Sequence, residues 1–339
     1  MNRTPQVSVC MITYGHEKYI REAIEGVLMQ ECDFEIELII ANDCSPDQTD
    51  AVIQNILENH PRAAWIKYFR HDKNLGMIPN FLFALNQCKG EFVAMCEGDD
   101  YWITKDKLQK QIAVLESDKI VGLVYTSVKH FNQNTGEWIE IDPRFAKECV
   151  EVIPSMLKSK YIEFPTTVFR KTVLDKVIDI IKIELENAII VGDTRILLET
   201  AYNSEIYFLN EVTTVYRILE GSASHPKEVD KYIFALKDSF LCRKSFVERN
   251  HLNTIWLSDS ICNMNRGLIN SAFVSKKYSD TIKLLKNVLI VEVFKYCSWN
   301  VFRRKMKIDI WIKLLLSLFG IGFLRQKLRR KKRPTLVFA

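Results

Sequence analysis

Short apolar runs alternate with helical patterns along the first part of the chain, and this alternation constrains the fold more than any other feature. The runs predicted as strands are Val7–Thr13, 35–41, 64–69 and 91–96. Apolar residues at helical spacing lie between them, within 17–30, 52–57 and 81–85. Repeated strand-then-helix units predict an α/β fold, with a mostly parallel sheet flanked by helices on both faces.

The pattern changes after residue 120. Residues 121–131 and 137–141 are predicted to form a hairpin, with the turn in Asn132-Gln133-Asn134-Thr135-Gly136 between them. Helices are predicted near 153–159, 171–183 and 194–202, and residues 228–298 are typical of a helical extension.

Charge is distributed unevenly along this chain of 339 residues, whose formal net charge is +5. Residues 300–339 hold 12 Lys or Arg against one acid, a net of +11, whereas residues 1–299 hold 35 basic and 41 acidic residues, a net of −6. A mildly acidic body argues against a surface that coats nucleic acid, while the basic segment suits an anionic partner.

The nine cysteines form no C-x-x-C pair or metal-ligand spacing, which argues against a disulfide framework and favours a reducing cytoplasm. The first six residues lead directly into an apolar strand, and we see no signal peptide there. The predicted location is therefore cytoplasmic.

Three carboxylates lie within four residues in Glu97-Gly98-Asp99-Asp100, just after a predicted buried strand. Like charges this close destabilise one another unless a cation compensates them. Mg²⁺ binds through one or two carboxylates together with substrate phosphates, so the cluster suits a metal–diphosphate site. A solvated acidic turn before the helix near Lys105 is the other interpretation.

Asp43 follows the second predicted strand and has two interpretations. Asp43-Cys44-Ser45-Pro46-Asp47 is good capping and turn chemistry. The carboxyl end of a strand is also where ligands bind in such sheets, so Asp43 could accept a hydrogen bond from a ribose hydroxyl or a base N–H.

Five short motifs resemble, in order and spacing, those of the family 2 (GT-A fold) glycosyltransferases, of the type that builds bacterial surface polysaccharides. They are Thr13-Tyr14-Gly15-His16, Asn42-Asp43-Cys44-Ser45-x-Asp47-x-Thr49, Asn74-Leu75-Gly76, Gly90-Glu91 and Glu97-Gly98-Asp99-Asp100-Tyr101-Trp102. The likeness covers roughly residues 5–225. It implies a GT-A, Rossmann-like catalytic domain over 1–225, followed by a helical extension over 226–298 and a basic tail over 299–339.

The resemblance implies a site for a nucleotide-diphospho-sugar. Tyr14 would pack on the base beside Thr13, and Asp43 would bind the nucleoside. Asp99 would hold Mg²⁺ or Mn²⁺ against the diphosphate. The remaining residues of the acidic motif would act nearby: Glu97 in place of the usual first Asp, Asp100 beside the metal or donor sugar, and Trp102 as an apolar wall for the sugar ring.

An inverting transferase also needs a general base near the attacking hydroxyl. The resemblance places this base at Asp193, where Gly192 replaces the more common acidic residue; a helix N-cap is the other interpretation of Asp193. Thr166 and Thr167 would contact the acceptor, or form ordinary loop contacts. Arg217 would lie near the leaving group, or form a surface ion pair.

The resemblance therefore implies transfer of a hexosyl or N-acetylhexosaminyl group from a UDP-sugar to a glycan or polyprenyl-linked acceptor in cell-surface polysaccharide synthesis. A sugar-phosphate nucleotidyltransferase is the alternative enzyme, although such enzymes usually carry a Gly-rich, basic loop after the first strand. A glycan-binding protein that keeps an inactive transferase fold is the alternative without catalysis.

Residues 299–333 combine aromatic and aliphatic residues with basic clusters. The longest stretch without charge, 314–324, has 11 residues, against about 20 for a spanning helix. An amphipathic helix lying on an anionic membrane, at the inner face of the cell membrane, fits this pattern. Packing on the catalytic domain, packing in a homodimer, or a short spanning or re-entrant segment are the alternatives.

Overall fold

The structure is a computed structural model that describes residues 5–139, 152–158, 162–185, 192–222 and 228–275. The described residues fall into two compact units, one within Met1–Val152 and Ile162–Leu219 and the other within Ile153–Tyr161 and Glu220–Ala339. The basic segment 299–333 and the predicted boundary at residue 225 lie outside the described residues. The predicted three-part division therefore stays a prediction.

One sheet of nine strands, counted over the described residues, organises the first unit. The strands are β1 (Val7–Thr13), β2 (Ile36–Asn42), β3 (Ile66–Arg70), β4 (Phe92–Met95), β5 (Tyr101–Trp102), β6 (Val121–Asn132), β7 (Glu137–Ile139), β8 (Val168–Arg170) and β9 (Glu205–Ile218). Their order is β3-β2-β1-β4-β8-β6-β9-β5, and β7 pairs with β6 at the side of this path.

The helices confirm the predicted α/β class and the helical C-terminal portion. They are α1 (Ile20–Leu28), α2 (Thr49–Asn59), α3 (Met77–Gln87), α4 (Lys107–Ser117), α5 (Val152–Leu157), α6 (Lys171–Leu185), α7 (Asp193–Asn203), α8 (Val229–Arg249) and α9 (Leu257–Ser275). None of these described helices is both long and apolar enough to cross a membrane.

Strands β3, β2, β1 and β4 form a parallel block, as the repeated strand-then-helix pattern predicts. Beyond β4 the pairing is mixed, because β8 runs antiparallel to both β4 and β6, while β6 and β9 are parallel. Alternate apolar side chains of β1 and β2 share a core with one face of α1, and most of the remaining apolar side chains of these strands are buried too. Burial on both faces explains why these strands have continuous apolar runs.

In the second unit, α8 and α9 pack on each other. A Cβ added to Gly267 of α9 would lie 2.4 Å from Leu236 Cδ1, so glycine at this position leaves space for the Leu236 side chain of α8. Arg243 of α8 is buried, and its Nε donates to the Met156 carbonyl (2.9 Å). This bond ties α5 to α8.

Glu37 of β2 is a buried carboxylate at the opposite edge of the sheet from the strand ends that carry the sequence motifs. It accepts hydrogen bonds from Ser8 Oγ (2.5 Å) and the Lys89 N–H (2.7 Å), and it pairs with Lys67. Burial opposes ionisation, but these hydrogen bonds and the Lys67 charge together lower the pKa of Glu37. The carboxylate therefore stabilises the fold in its charged form.

We expect Glu37→Gln to lower the free energy of unfolding by about 2 kcal/mol at neutral pH, since it weakens charge-assisted hydrogen bonds at a buried group. A lowered pKa contributes stability above the unfolded-state value and loses it as pH falls through the folded-state value. The difference between wild type and variant should therefore shrink in acid. Urea unfolding of wild type and variant at neutral pH and in acid measures this difference, and Glu35→Gln, at an exposed position, is the control. An equal difference at both pH values would contradict this assignment.

Candidate functional site

The carboxyl ends of β1, β2 and β4 meet at one edge of the sheet. Thr13 pairs with Asn42 across β1 and β2, and Cys10 pairs with Met95 across β1 and β4. Past the end of β4, the Gly98 N–H donates to the Ile12 carbonyl (3.0 Å). The segments that follow these strands therefore share one edge, which is where open α/β sheets bind their ligands.

The loop after β1 is held by side chains from the loop after β2. Three backbone N–H groups donate to these side chains: Gly15 to Ser45 Oγ (3.0 Å), His16 to Thr49 Oγ1 (2.9 Å) and Glu17 to Asp47 Oδ2 (3.0 Å). Gly15 has φ +73°, a conformation that favours glycine. The polar residues of the 42–49 motif thus fix the loop that carries Tyr14.

Asp43 lies at this edge with its side chain buried. Its carboxylate accepts hydrogen bonds from the N–H groups of Leu75 (2.7 Å) and Gly76 (2.9 Å). Its own N–H donates to the carbonyl of Thr13, which is also buried (3.0 Å). The Tyr14 side chain beside them is 49% exposed. The fixed carboxylate can accept a hydrogen bond from the edge of a planar ligand, while the exposed ring packs on the face of the same ligand.

Gly98 lets the acidic motif approach β1. A Cβ added to Gly98 would lie 2.7 Å from Thr13 Oγ1 and 2.8 Å from Thr13 Cβ. The Asp100 N–H donates to the Glu97 carbonyl (3.1 Å), which closes a tight turn around Gly98. Any larger residue at this position would push Glu97, Asp99 and Asp100 away from the strand ends.

The acidic motif is an electrostatically strained cluster. Burial, followed by repulsion from Asp99, Asp193 and Glu163, raises the pKa of Glu97 to about 8. Burial and repulsion from Asp99 and Glu97 also raise the pKa of Asp100 well above its usual value, although the Arg217 backbone N–H opposes this shift. A positive charge beside these groups would relieve the repulsion.

Arg217 is a buried residue of β9 that holds the acidic motif in place. Its N–H donates to Asp100 Oδ1 (2.7 Å) and its Nη1 donates to the Asp99 carbonyl (2.6 Å). Its guanidinium also pairs with Glu22 of α1 and lies 4.3 Å from the ring centroid of Tyr101. The hydrogen-bond donors of Arg217 therefore bind groups of the protein. A contact between Arg217 and the leaving group would require these bonds to rearrange.

Asp193 is the first residue of α7, and its side chain is exposed. Its Oδ1 accepts a hydrogen bond from the Thr194 N–H (2.6 Å). Asp193 lies close enough to Glu97 to raise the pKa of that carboxyl. The structure thus brings the predicted base to the acidic motif, although nearly 100 residues separate the two in sequence.

Glu163 is a residue of this cluster that the sequence analysis did not assign to the site. It precedes the short helical turn Phe164–Thr166, and its carboxylate pairs with His130 Nε2 (3.0 Å). The His130 ring lies 5.1 Å from that of Tyr216 on β9. Strand β8, which follows the turn, is antiparallel to β4, so Glu163 lies beyond the end of β4, near enough to Glu97 to raise the pKa of that carboxyl. The order of residues in the sequence does not show which residues on different strands lie near one another.

Trp102, Thr166 and Thr167, predicted to contact the transferred sugar or the acceptor, are buried in the structure. Trp102 is 1% exposed, and its Nε1 donates to the Pro165 carbonyl (2.9 Å). The hydroxyls of Thr166 and Thr167 donate to backbone carbonyls three residues earlier, both at 2.6 Å, and both side chains are buried. These residues support the acidic motif from behind, and their contact with a sugar stays a prediction.

Lys107 belongs to the same support and was also missed from the sequence. Its Nζ donates to Gln111 Oε1 (2.5 Å) and the Thr166 carbonyl (3.3 Å), and it lies 4.5 Å from the Trp102 ring centroid. Burial lowers the pKa of Lys107 to about 7. A lysine on an amphipathic helix is usually exposed, so no sequence signal indicated this position.

The carboxylates of the acidic motif fit a divalent cation whose remaining ligands include phosphate oxygens of the substrate. In the part of the chain that the structure describes, no three His, Cys, Asp or Glu side chains are arranged to hold a metal by themselves. Burial and, after it, repulsion between neighbouring carboxylates raise the pKa values of Glu97 and Asp100, and a bound cation would oppose both effects. Mg²⁺ is commonly bound in this way, through one or two carboxylates and substrate phosphates.

A sequence model described as glycosyl transferase family 2 matches residues 8–177. Among curated relatives, the uncharacterized protein Rv1520 of Mycobacterium tuberculosis (strain ATCC 25618 / H37Rv) is 30% identical over 165 residues, which is 49% of this chain and 47% of the relative. Hyaluronan synthase of Pasteurella multocida is 23% identical over 301 residues, which is 86% of this chain and 28% of that protein. The chain spans about half the length of the first of these relatives.

Among solved structures, S. aureus TarS 1-349 has a TM-score of 0.57 at 16% identity, with 95% of this chain and 91% of that chain covered. The same protein in complex with UDP-GlcNAc has a TM-score of 0.51 at 17% identity, with 84% of this chain and 90% of that chain covered. These likenesses show a common fold.

Proposed function

This chain belongs to glycosyl transferase family 2, and on that premise we propose that it is an inverting enzyme with a UDP-sugar as donor. The acceptor in this proposal is a hydroxyl of a glycan or a polyprenyl-linked sugar, and the product is part of a cell-surface polysaccharide. One observation carries the proposal: Thr13, Asp43 and the acidic motif share one sheet edge, and Asp193 acts electrostatically on Glu97 at that edge.

In the donor half of the proposed site, the nucleoside would bind near Asp43. The exposed Tyr14 ring would pack on the base, and the Asp43 carboxylate, already positioned by Leu75 and Gly76, would accept a base N–H. Support for UDP comes from the TarS complex with UDP-GlcNAc, whose fold this chain shares. We propose transfer of a hexosyl or N-acetylhexosaminyl group.

The acidic motif would bind the diphosphate half of the donor. Asp99 would hold Mg²⁺ or Mn²⁺, with Glu97 and Asp100 nearby, and a bound divalent cation would offset the charge that develops on the leaving nucleoside diphosphate. Arg217 holds the backbone of Asp99 and the carboxylate of Asp100 in place. It would therefore position the motif, and a direct contact with the diphosphate remains part of the proposal.

The acceptor half would lie near Asp193. Its carboxylate would take the proton of the attacking hydroxyl, whose oxygen forms the new bond to the anomeric carbon while the bond to the diphosphate oxygen breaks. The Thr194 N–H donates to one carboxylate oxygen of Asp193 and so fixes the orientation of this side chain. An α-linked donor would give a β-glycoside by this route.

We also propose that residues 299–333 bind an anionic membrane surface. The net charge of +11 in 300–339 and the apolar residues among the basic clusters support this proposal. An enzyme held at a membrane would be close to a polyprenyl-linked acceptor.

Nucleotide release from a set of UDP-, GDP- and dTDP-sugars, measured with Mn²⁺, tests the proposed reaction. We expect release from a UDP-sugar and its loss when EDTA removes the cation. Release of pyrophosphate from a sugar phosphate and a nucleoside triphosphate would instead identify a nucleotidyltransferase. Tight saccharide binding with no turnover of any donor would identify a glycan-binding protein.

The pKa of Glu97 predicts how the cation affects stability. Between its unfolded-state value of 4.5 and its folded-state value of about 8, the folded protein binds a proton that the unfolded chain has lost. The free energy of unfolding therefore falls as pH rises through this window. A divalent cation binds the deprotonated site of the folded state, so it should offset this loss.

We expect MgCl₂ to raise the melting temperature by a few degrees above about pH 8, and by clearly less near pH 6, where Glu97 is protonated. Differential scanning fluorimetry with and without MgCl₂ measures the shift. Glu97→Gln serves as the comparison, since it cannot ionise and should remove most of the pH dependence. Equal shifts at both pH values in the wild type would contradict the assigned cation site.

A further inference from the structure

His16 lies between β1 and the acidic motif, and the metal motif itself does not include it. Its Nδ1 is 3.2 Å from Thr13 Oγ1, and its Nε2 is 3.8 Å from Asp99 Oδ2. The side chains of His16 and Asp99 are each 21% exposed, so both are accessible from the edge where the donor would bind. The ring thus spans the distance between a fixed hydroxyl and the carboxylate expected to hold the cation.

The position of His16 is determined by its surroundings. Its backbone N–H donates to Thr49 Oγ1 (2.9 Å), which ties the residue to the second loop. On the other side, a Cβ at position 98 would lie 3.0 Å from Nδ1, so glycine at this position gives the ring its space. The ring is held beside Asp99 by two separate loops.

The Thr13 hydroxyl can accept a hydrogen bond from His16 Nδ1–H or donate one to an unprotonated Nδ1, so the 3.2 Å contact is compatible with either tautomer of the ring. In the tautomer with the proton on Nδ1, Nε2 has a lone pair that faces the Asp99 carboxylate. The two groups, 3.8 Å apart, then repel each other unless a positive charge lies between them. Histidines that bind metals commonly donate their other ring N–H to an oxygen in this way.

We propose that His16 is a second protein ligand, beside Asp99, of the divalent cation; this inference rests on the proposed function. Two neighbouring ligands of one octahedral cation, each about 2.1 Å from it, lie about 3 Å apart. The observed 3.8 Å exceeds this separation by less than about 1 Å, which a small movement of the two partly exposed side chains can supply. The diphosphate and water would supply the other ligands. Because imidazole suits transition metals better than Mg²⁺, His16 makes the site prefer Mn²⁺.

Electron paramagnetic resonance of Mn²⁺ tests this inference on the full chain, with Mn²⁺ alone and with Mn²⁺ plus UDP. The variants are His16→Asn and Asp99→Asn, and His60→Asn is the control, since His60 pairs with Glu25 of α1 and not with the acidic motif. We expect His16→Asn to weaken Mn²⁺ binding by about 10- to 100-fold. Mg²⁺ competition should change by a smaller factor, and the control should bind as the wild type does.

Pulsed resonance on the same samples provides a readout that a merely structural role of His16 would not change. An imidazole ligand gives the Mn²⁺ signal a ¹⁴N coupling, and this coupling should be present in the wild type and absent in His16→Asn. A wild-type signal without ¹⁴N coupling would overturn the inference, as would unchanged Mn²⁺ affinity in His16→Asn. Melting temperatures of all variants confirm that each is folded.

The two proposals fail in different ways. If Asp99→Asn loses Mn²⁺ while His16→Asn retains it, only the role of His16 is wrong. If the wild type binds no Mn²⁺ with UDP present, both the cation site and its second ligand are wrong. Turnover of a donor sugar is measured separately, so the proposed transferase reaction is judged on its own result.

Discussion

Asp193→Asn should abolish sugar transfer while leaving nucleotide binding nearly unchanged. The amide cannot take a proton from the acceptor hydroxyl, and loss of a general base typically lowers turnover by about 10²- to 10⁴-fold. Its oxygen can still accept the hydrogen bond from the Thr194 N–H, so the start of α7 is preserved. Steady-state kinetics with the donor identified by nucleotide release, together with calorimetry of UDP binding, would measure both effects.

The matched control for this variant is Asp179→Asn on α6, whose carboxylate is 75% exposed and pairs only locally with Lys182 among the contacts described. It makes the same chemical change without touching the site, and its turnover should equal that of the wild type. Near-normal turnover in Asp193→Asn would show that Asp193 is not the base. Glu163, the other carboxylate on this side of Glu97, would then be the residue to replace.

Gly98→Ala should lower activity by about 100-fold or more, although it adds a single methyl group. The new Cβ would lie 2.7 Å from Thr13 Oγ1, and backbone bonds hold both Gly98 and Thr13 at the strand ends. The acidic motif must therefore move, and misplacement of binding groups by about 1 Å can cost about 10²-fold in rate. We expect a stability loss of about 1 to 3 kcal/mol, as for other overpacked sites.

Gly192→Ala is the matched control, because a Cβ at Gly192 meets nothing within 4 Å and its φ is −100°. Kinetics and thermal unfolding of both variants should distinguish displacement of the acidic motif from the general effect of replacing a glycine by alanine. A Gly98→Ala enzyme with unchanged donor KM and turnover would show that the motif tolerates displacement. The close approach to Thr13 would then have no functional meaning.

The first four strands were predictable because their signal is local. Buried strands such as β1 and β2 need continuous apolar residues, and the predicted ranges differ from the structure by only one or two residues. Strand β9 was missed, although its 14 residues are rich in β-branched and aromatic side chains. Its exposed and buried positions follow no strict alternation, since register shifts interrupt its pairing with β6.

Only some residues of the candidate site were predictable from the sequence, and there is a physical reason for this. The motifs at the ends of β1, β2 and β4 lie directly after strands, so topology alone brings them to one edge. The burial of Trp102, Thr166 and Thr167 could not be predicted, because burial depends on packing partners distant in sequence. Trp102, for example, is covered by Pro165 and Lys107.

The sequence by itself determined that this chain forms an α/β sheet with polar motifs at its strand ends, because hydrophobic periodicity and strand-end position are local properties. Only the tertiary structure decided which charges act on one another. It brought Asp193 and Glu163 to Glu97, engaged Arg217 with the backbone of Asp99, and placed His16 Nε2 3.8 Å from the Asp99 carboxylate. Electrostatic coupling depends on distance in space, and that distance is set by packing between strands and loops far apart in the chain.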